Sequence, residues 1–427
     1  MIRSARYRFP VLLLIGIVVI GLILRGPIVA VAPISGLITD DLTLTAAQMG
    51  LLTTLPVLCF AVMTPFASLF IGKAGANFAT TVAIIGVGIG SIVRSAGGLE
   101  ATIAGTIIMG AFITIGNVVI PVIIRRDIPT ARIGIVTGAY TSALNIGSMT
   151  TTLATVPLAN LFGWRGALLA WLGFVVLAAI AWLVAIGPRR AVKWGPIQLA
   201  IETGAVDTIA LDTRGIPLAT AGPRTWRSLS AVLLALTFGA QAFSYYGFTA
   251  WFPSILADEL GYSAGEAGTS SSIFQIAAVV GALGVPLISR KLGPPRTFAI
   301  VAALWIMFPL GMILAPTGWL AWGFLGGIAQ GGGITIVFML IVQLAFSGTH
   351  ARRLSAMVQG VGYALGATAP SVIGAVHDIP GLHVIFTHSG ATLGLITGEL
   401  VAREILSGTP SPLLADFNAA RFAPVPA

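Results

Sequence analysis

The chain has 427 residues, of which 56% are hydrophobic and only 9% charged, with a net charge of +9. Soluble domains carry about 25% charged residues, so this composition excludes a water-soluble enzyme or regulator with an ordinary polar surface. The basic excess does not point to nucleic acid, because the lysines and arginines lie in short clusters between apolar runs instead of along one stripe.

Arg3, Arg6 and Arg8 precede the first apolar run. That run continues past the length of a signal-peptide core and has no small-residue cleavage site, so no cleaved leader is expected. Apolar runs then fall at 11–38, 46–71, 78–97, 99–124, 132–158, 164–187, 227–253, 265–289, 296–315, 318–346 and 353–376. Each is long enough to cross a bilayer as a helix, and the need to satisfy backbone hydrogen bonds in lipid leaves helices as the choice. The fold class is therefore an all-α membrane protein with eleven spanning helices. Cys59, the only cysteine, lies within the second run and reads as a small packing residue.

Of the 23 lysines and arginines, eighteen fall on one side of this arrangement: Arg3, Arg6, Arg8, Lys73, Arg125, Arg126, Arg132, Arg189, Arg190, Lys193, Arg214, Arg224, Arg227, Arg290, Lys291, Arg296, Arg352 and Arg353. Arg94 and Arg165 fall on the other, with Asp40, Asp41, Glu100, Asp258, Glu259 and Glu266. The positive-inside rule then places the N-terminus in the cytoplasm, and a plasma (inner) membrane location is expected.

The chain divides into residues 1–187, a first transmembrane bundle; 188–226, a polar cytoplasmic linker; 227–378, a second bundle; and 379–427, an atypical tail. The halves echo each other. Lys73-Ala74-Gly75 after the second run matches Arg290-Lys291-Leu292-Gly293 after the eighth, and Arg125-Arg126 after the fourth matches Arg352-Arg353 after the tenth. Parallel repeats of this kind build carriers whose solute site lies between the halves near the midplane.

Several strings resemble a known family. They are Leu24-Arg25 with Pro27, Gly50 to Phe60 (GLLTTLPVLCF), Asn117-Val118-Val119-Ile120-Pro121, Tyr246 with Trp251-Phe252-Pro253, Gly326-Gly327 with Gln330-Gly331-Gly332, and Gly362-Tyr363 with Gly374 to Asp378. Together with the basic loop after the second run, they resemble major facilitator transporters of the cyanate and nitroimidazole branch (CynX/NimT), over residues of about 8–378. Gly26 interrupts what is usually Arg-Pro in that branch. The resemblance implies the major facilitator fold, two bundles of six-helix type, with spans one, four, seven and ten lining a central cavity. It also implies a twelfth span, which is missing or replaced here. The tail, with Thr387-His388-Ser389-Gly390-Ala391-Thr392-Leu393, resembles the C-terminal end of a flavin-dependent D-amino-acid-oxidase-type enzyme. The rest of such an enzyme is absent, and a rearranged reading frame explains the tail better than flavin binding. The tail is expected to stay out of the membrane.

Arg25 is the one ionisable residue deep inside a span. A charge at a helix centre costs at least about 2.5–3.5 kcal/mol on insertion scales, so it normally faces a cavity. It reads as an anchor for an anionic or strongly dipolar solute, or as a structural cation bonded to backbone carbonyls. No Asp or Glu lies deep within any span; Glu100 and Glu266 stand at outer ends. That counts against a carboxylate proton relay. The other polar residues in the spans are Asn117, Asn145, Gln241, Tyr245, Tyr246, Gln275, Gln330 and Gln343. Each reads equally as interhelical glue or as pocket lining. Asn117, Tyr246 and Gln330 lead because the resemblance puts their helices at the cavity; Gln241 and Gln275 follow. Lys73, Arg125, Arg126 and Asp127 are candidates for a gate, although charge orientation alone also explains them. His350, His377, His383 and His388 do not cluster at metal spacing. Neither a metal, a cofactor nor catalysis is expected.

The function expected is alternating-access transport of a small polar or anionic solute by a monomer in the lipid bilayer. The alternatives are an efflux carrier for small organic compounds such as nitroimidazoles, and a non-functional truncated hybrid.

Overall fold

The computed structural model describes residues 10–195, 228–262 and 264–377. The tail and most of the linker, with the expectations made for them, lie outside the described residues.

The described residues form helices joined by short turns, with no strand among them. The first span is broken into α1 (Val11–Ile23), α2 (Gly26–Val29), a 3-10 turn and α3 (Ser35–Leu42). Pro27 has no N–H to donate to the turn before it, and Arg25 takes up the break with φ −132° and ψ −37°. Then follow α4 (Ala46–Ala74), α5 (Ala76–Ser95), α6 (Leu99–Asp127), α7 (Ile133–Ala170), α8 (Leu172–Ile186) and the short α9 (Pro188–Ala191). The later part holds α10 (Leu229–Leu260), α11 (Ala264–Leu292), α12 (Pro294–Leu314), α13 (Trp319–Leu344) and α14 (Gly348–His377).

Eleven spans were expected from the apolar runs. Among the described residues, 9 helical stretches are long and apolar enough to cross a membrane. The stretch Thr130–Ile186 holds both the fifth and the sixth span, separated by the kink at Gly163, with φ 69° and ψ 168°. The other difference is α14, which has the length, at 30 residues, but interleaves Arg352, Arg353, Gln359 and Thr368 with its apolar positions.

Leu51, Leu58, Val62, Phe66 and Leu69 form an exposed stripe along α4, and Ile85, Ile89 and Ile92 another along α5. Apolar residues facing outward at helical spacing fit lipid as the surrounding medium. Inside, small residues let backbones approach. A Cβ at Gly331 of α13 would run into the carbonyl of Ala278 on α11.

Helices α1 and α4–α8 pack among themselves, as do α10–α14. The two groups meet where α4 packs on α14 and α7 on α11. Gly72 lies against Arg352, and Gly134 against Pro286 and Met339. The basic helix ends of both groups therefore share one face.

Candidate functional site

Arg25 stands at the break in the first span, where the helix axis is interrupted and its side chain turns inward. Its Nη1 donates to Asn145 Oδ1 on α7 at 3.2 Å. The guanidinium lies over the ring of Tyr245 on α10, 4.6 Å from the centroid. Tyr246 and Tyr363 face it as well. No carboxylate among the described residues pairs with it; the ion pairs seen there are Arg126–Asp127 and Arg165–Asp41. The cost of bringing this charge into the membrane is offset by a charged hydrogen bond worth about 1.5–3 kcal/mol and a cation–π contact of about 0.5–2 kcal/mol.

Around Arg25 lies a narrow cavity lined by Phe238, Gln241, Ala242, Tyr245, Tyr246, Gln330, Ile334 and Tyr363. It has room for about one water molecule. It lies between the break in the first span and α10, α13 and α14 of the second group. Four of its walls are aromatic, and Phe238 and Tyr363 meet edge to face at 5.3 Å. Gln241 donates from Nε2 to the backbone carbonyl of Gln330 at 3.0 Å.

The cavity thus brings together Arg25, Gln241, Tyr245, Tyr246 and Gln330 of the residues named from the sequence. Gln275 stands one layer behind, donating to the Tyr245 hydroxyl at 3.0 Å. Asn117 is not among the lining residues. It is buried where α6 meets α14, and its backbone carbonyl accepts from Gln359 Nε2 at 3.1 Å. Phe238 and Tyr363 were not singled out as site residues, since an aromatic in an apolar helix carries no mark of facing a cavity.

A second buried cation corrects the expectation that Arg25 is alone. Arg94, read in the sequence as a residue of the outer side, is 0% exposed. Its Nη1 donates to the carbonyl of Pro27 at 2.8 Å. The break in the first span turns that carbonyl toward α5, which is why the arginine is drawn inward.

The basic face carries polar ties between the two helix groups. Arg125 Nε donates to the carbonyl of Ala345 at 2.9 Å. Arg352 Nη1 donates to the carbonyl of Ser68 and, at 3.0 Å, to its hydroxyl. Arg126 instead stays within the first group, bonded to Asn77 Oδ1 at 2.7 Å and to Asp127. Lys73 is exposed at the end of α4. Deeper in the membrane, the hydroxyls of Thr141 and Thr335 meet at 2.6 Å across α7 and α13.

The family model of the Major Facilitator Superfamily matches residues 13–374. The chain belongs to that superfamily. Within it, the chain is 33% identical over 374 residues to the 2-nitroimidazole transporter of Escherichia coli (strain K12), covering 87% of this chain and 89% of that protein. It is 31% identical over 373 residues to the uncharacterized transporter YycB of Bacillus subtilis (strain 168), covering 86% of each. Similarity to the cyanate transport protein CynX of Escherichia coli (strain K12) is lower, 22% over 376 residues, covering 87% and 92%. Among solved structures, the proton:xylose symporter XylE bound to 6-bromo-6-deoxy-D-glucose aligns with a TM-score of 0.72 at 13% identity, over 94% of this chain and 96% of that one. The human organic anion transporter MFSD10 aligns with a TM-score of 0.67 at 14% identity, over 92% and 99%. These structures share the all-helical transporter fold with this major facilitator protein.

Proposed function

We propose that this major facilitator protein carries a small planar solute with an oxygen-rich polar group, of the 2-nitroimidazole kind, by exposing the Arg25 cavity to each membrane face in turn. The observation that carries the reading is Arg25 itself: a cation without a carboxylate partner among the described residues, stacked on Tyr245 in an aromatic-walled cavity. A guanidinium presents a planar fork of donors that matches two oxygens on one atom. Flat aromatic walls suit a flat ring. The greater similarity to the 2-nitroimidazole transporter than to CynX supports the same direction.

A second reading, a small linear anion such as cyanate, is favoured by the same unpaired cation. It leaves the four aromatic walls without a partner.

The Arg125 and Arg352 ties hold the basic face shut, and in this reading they are the gate; Lys73, Arg126 and Asp127 flank it. By the positive-inside rule that face is cytoplasmic, as is the N-terminus. The cavity is too tight for a nitroimidazole in this closed form, so the bundles separate to load it.

Thermal unfolding of the purified protein with 2-nitroimidazole, imidazole and cyanate tests the proposal. A ligand at a hundred times its Kd stabilises the folded state by about 2.7 kcal/mol. 2-Nitroimidazole is expected to raise Tm while imidazole and cyanate at equal concentration do not. Stabilisation by cyanate alone would replace the proposal with the second reading, and no stabilisation by any of the three would remove both.

A further inference from the structure

Gln330 sits in the middle of α13 and is 1% exposed. Its side-chain Oε1 accepts no hydrogen bond from any described residue. Other buried polar atoms in the protein share that condition, including Oε1 of Gln275 and of Gln359. Among the described residues, Gln330 is the one that also lines the cavity holding Arg25. A carbonyl kept from water in a low-dielectric interior without a donor is costly, and a place where a solute can supply the donor removes that cost. Gln241 is bonded through its amide nitrogen to the backbone carbonyl of Gln330, not to the side-chain oxygen. The tyrosines nearby surround the guanidinium instead.

The cavity therefore has two polar poles of opposite kind. Arg25 offers N–H donors; Gln330 offers an acceptor. Four of the side chains that line the cavity with them are aromatic. We propose that Gln330 is a specificity-determining residue of this carrier: its side-chain carbonyl accepts a hydrogen bond from a ring N–H of the solute, so the site takes flat heterocycles that bear both an oxygen acceptor and a free N–H. This rests on the Arg25 reading above and narrows it. A simple anion such as cyanate satisfies the arginine but leaves the carbonyl unpaired. A site built to bond an N–H rejects analogues that lack it far more strongly than a site that merely accommodates their shape.

The test uses the full chain in detergent and two ligands of nearly equal size, 2-nitropyrrole and 2-nitrofuran. Both place a nitro group beside the ring heteroatom; they differ in N–H against ring oxygen. Isothermal titration of the wild-type protein is expected to give at least about tenfold tighter binding of 2-nitropyrrole, the effect of leaving one buried acceptor unpaired. In Gln330→Met, which keeps the length and volume of the side chain, the gap is expected to close to less than about threefold. Equal wild-type affinity for the two ligands overturns the proposal and leaves the Arg25 reading standing. A gap that survives in Gln330→Met also overturns it, since another group would then be reading the N–H. If neither ligand binds the wild type, the Arg25 reading itself fails and takes the proposal with it. The wild-type comparison holds its force even if the variant does not fold.

Discussion

Replacing Arg352 by methionine removes the tie between α14 and α4 at the basic face. In the structure one guanidinium nitrogen donates to both the carbonyl and the hydroxyl of Ser68, and the guanidinium rests on the bare backbone of Gly72. Ser68 is 7% exposed, so its carbonyl does not readily exchange this donor for water. A hydrogen bond to a charged group is worth about 1.5–3 kcal/mol. Since the contact exists only when the two helix groups close here, its loss shifts the open-to-closed ratio of this face by about 10–150-fold. Methionine preserves most of the apolar stem, so the helix itself should stay folded. Spin labels at exposed Lys73 and Leu292, in a Cys59→Ala background, report the distance across the face by pulsed electron resonance. The long-distance population should rise at least about tenfold relative to the short one. A distance distribution unchanged within about threefold would refute the assignment of Arg352 as a gate tie.

Two predictions concern how backbones are brought together. Gly331→Ala drives a methyl into the Ala278 carbonyl; overpacking costs about 1–3 kcal/mol or more, and thermal unfolding in detergent should show a clear fall in Tm. Gly163→Ala meets no neighbouring atom within 4 Å, yet φ 69° with ψ 168° is backbone that glycine alone adopts freely. Its destabilisation of about 1–3 kcal/mol should therefore be purely conformational, and Gly163→Asn should not rescue it by gaining contacts.

Arg25 was legible in the sequence because a charge in an unbroken apolar run has few places to go, and Tyr246, Gln241 and Gln330 were legible as polar groups in similar runs. The rotation of each helix about its own axis was not. Asn117 and Gln330 look alike in sequence, each one polar residue in an apolar helix. Gln330 lines the cavity, whereas Asn117 is buried and does not. Helices that are apolar on every face carry no stripe to fix that rotation. The other two aromatic walls, Phe238 and Tyr363, were hidden for the same reason. Arg94 shows a different limit: its place near the end of α5 suggested a membrane-surface charge, and only the break at Pro27, with its turned carbonyl, reveals the buried partner. The eleven-run reading kept the fold because apolar length and loop charge are local properties, and the fifth and sixth spans stay distinct through the non-helical backbone of Gly163.

The most direct test of the account is the affinity of the purified protein for 2-nitroimidazole with and without the Arg25 guanidinium. Arg25→Gln keeps a hydrogen-bond partner for Asn145 and removes the charge and the planar fork. With one charged hydrogen bond lost, titration calorimetry should show binding weakened by about 10–150-fold, with little change in the Tm of the ligand-free protein. Binding of equal strength in Arg25→Gln and wild type would contradict the claim that this cation holds the solute.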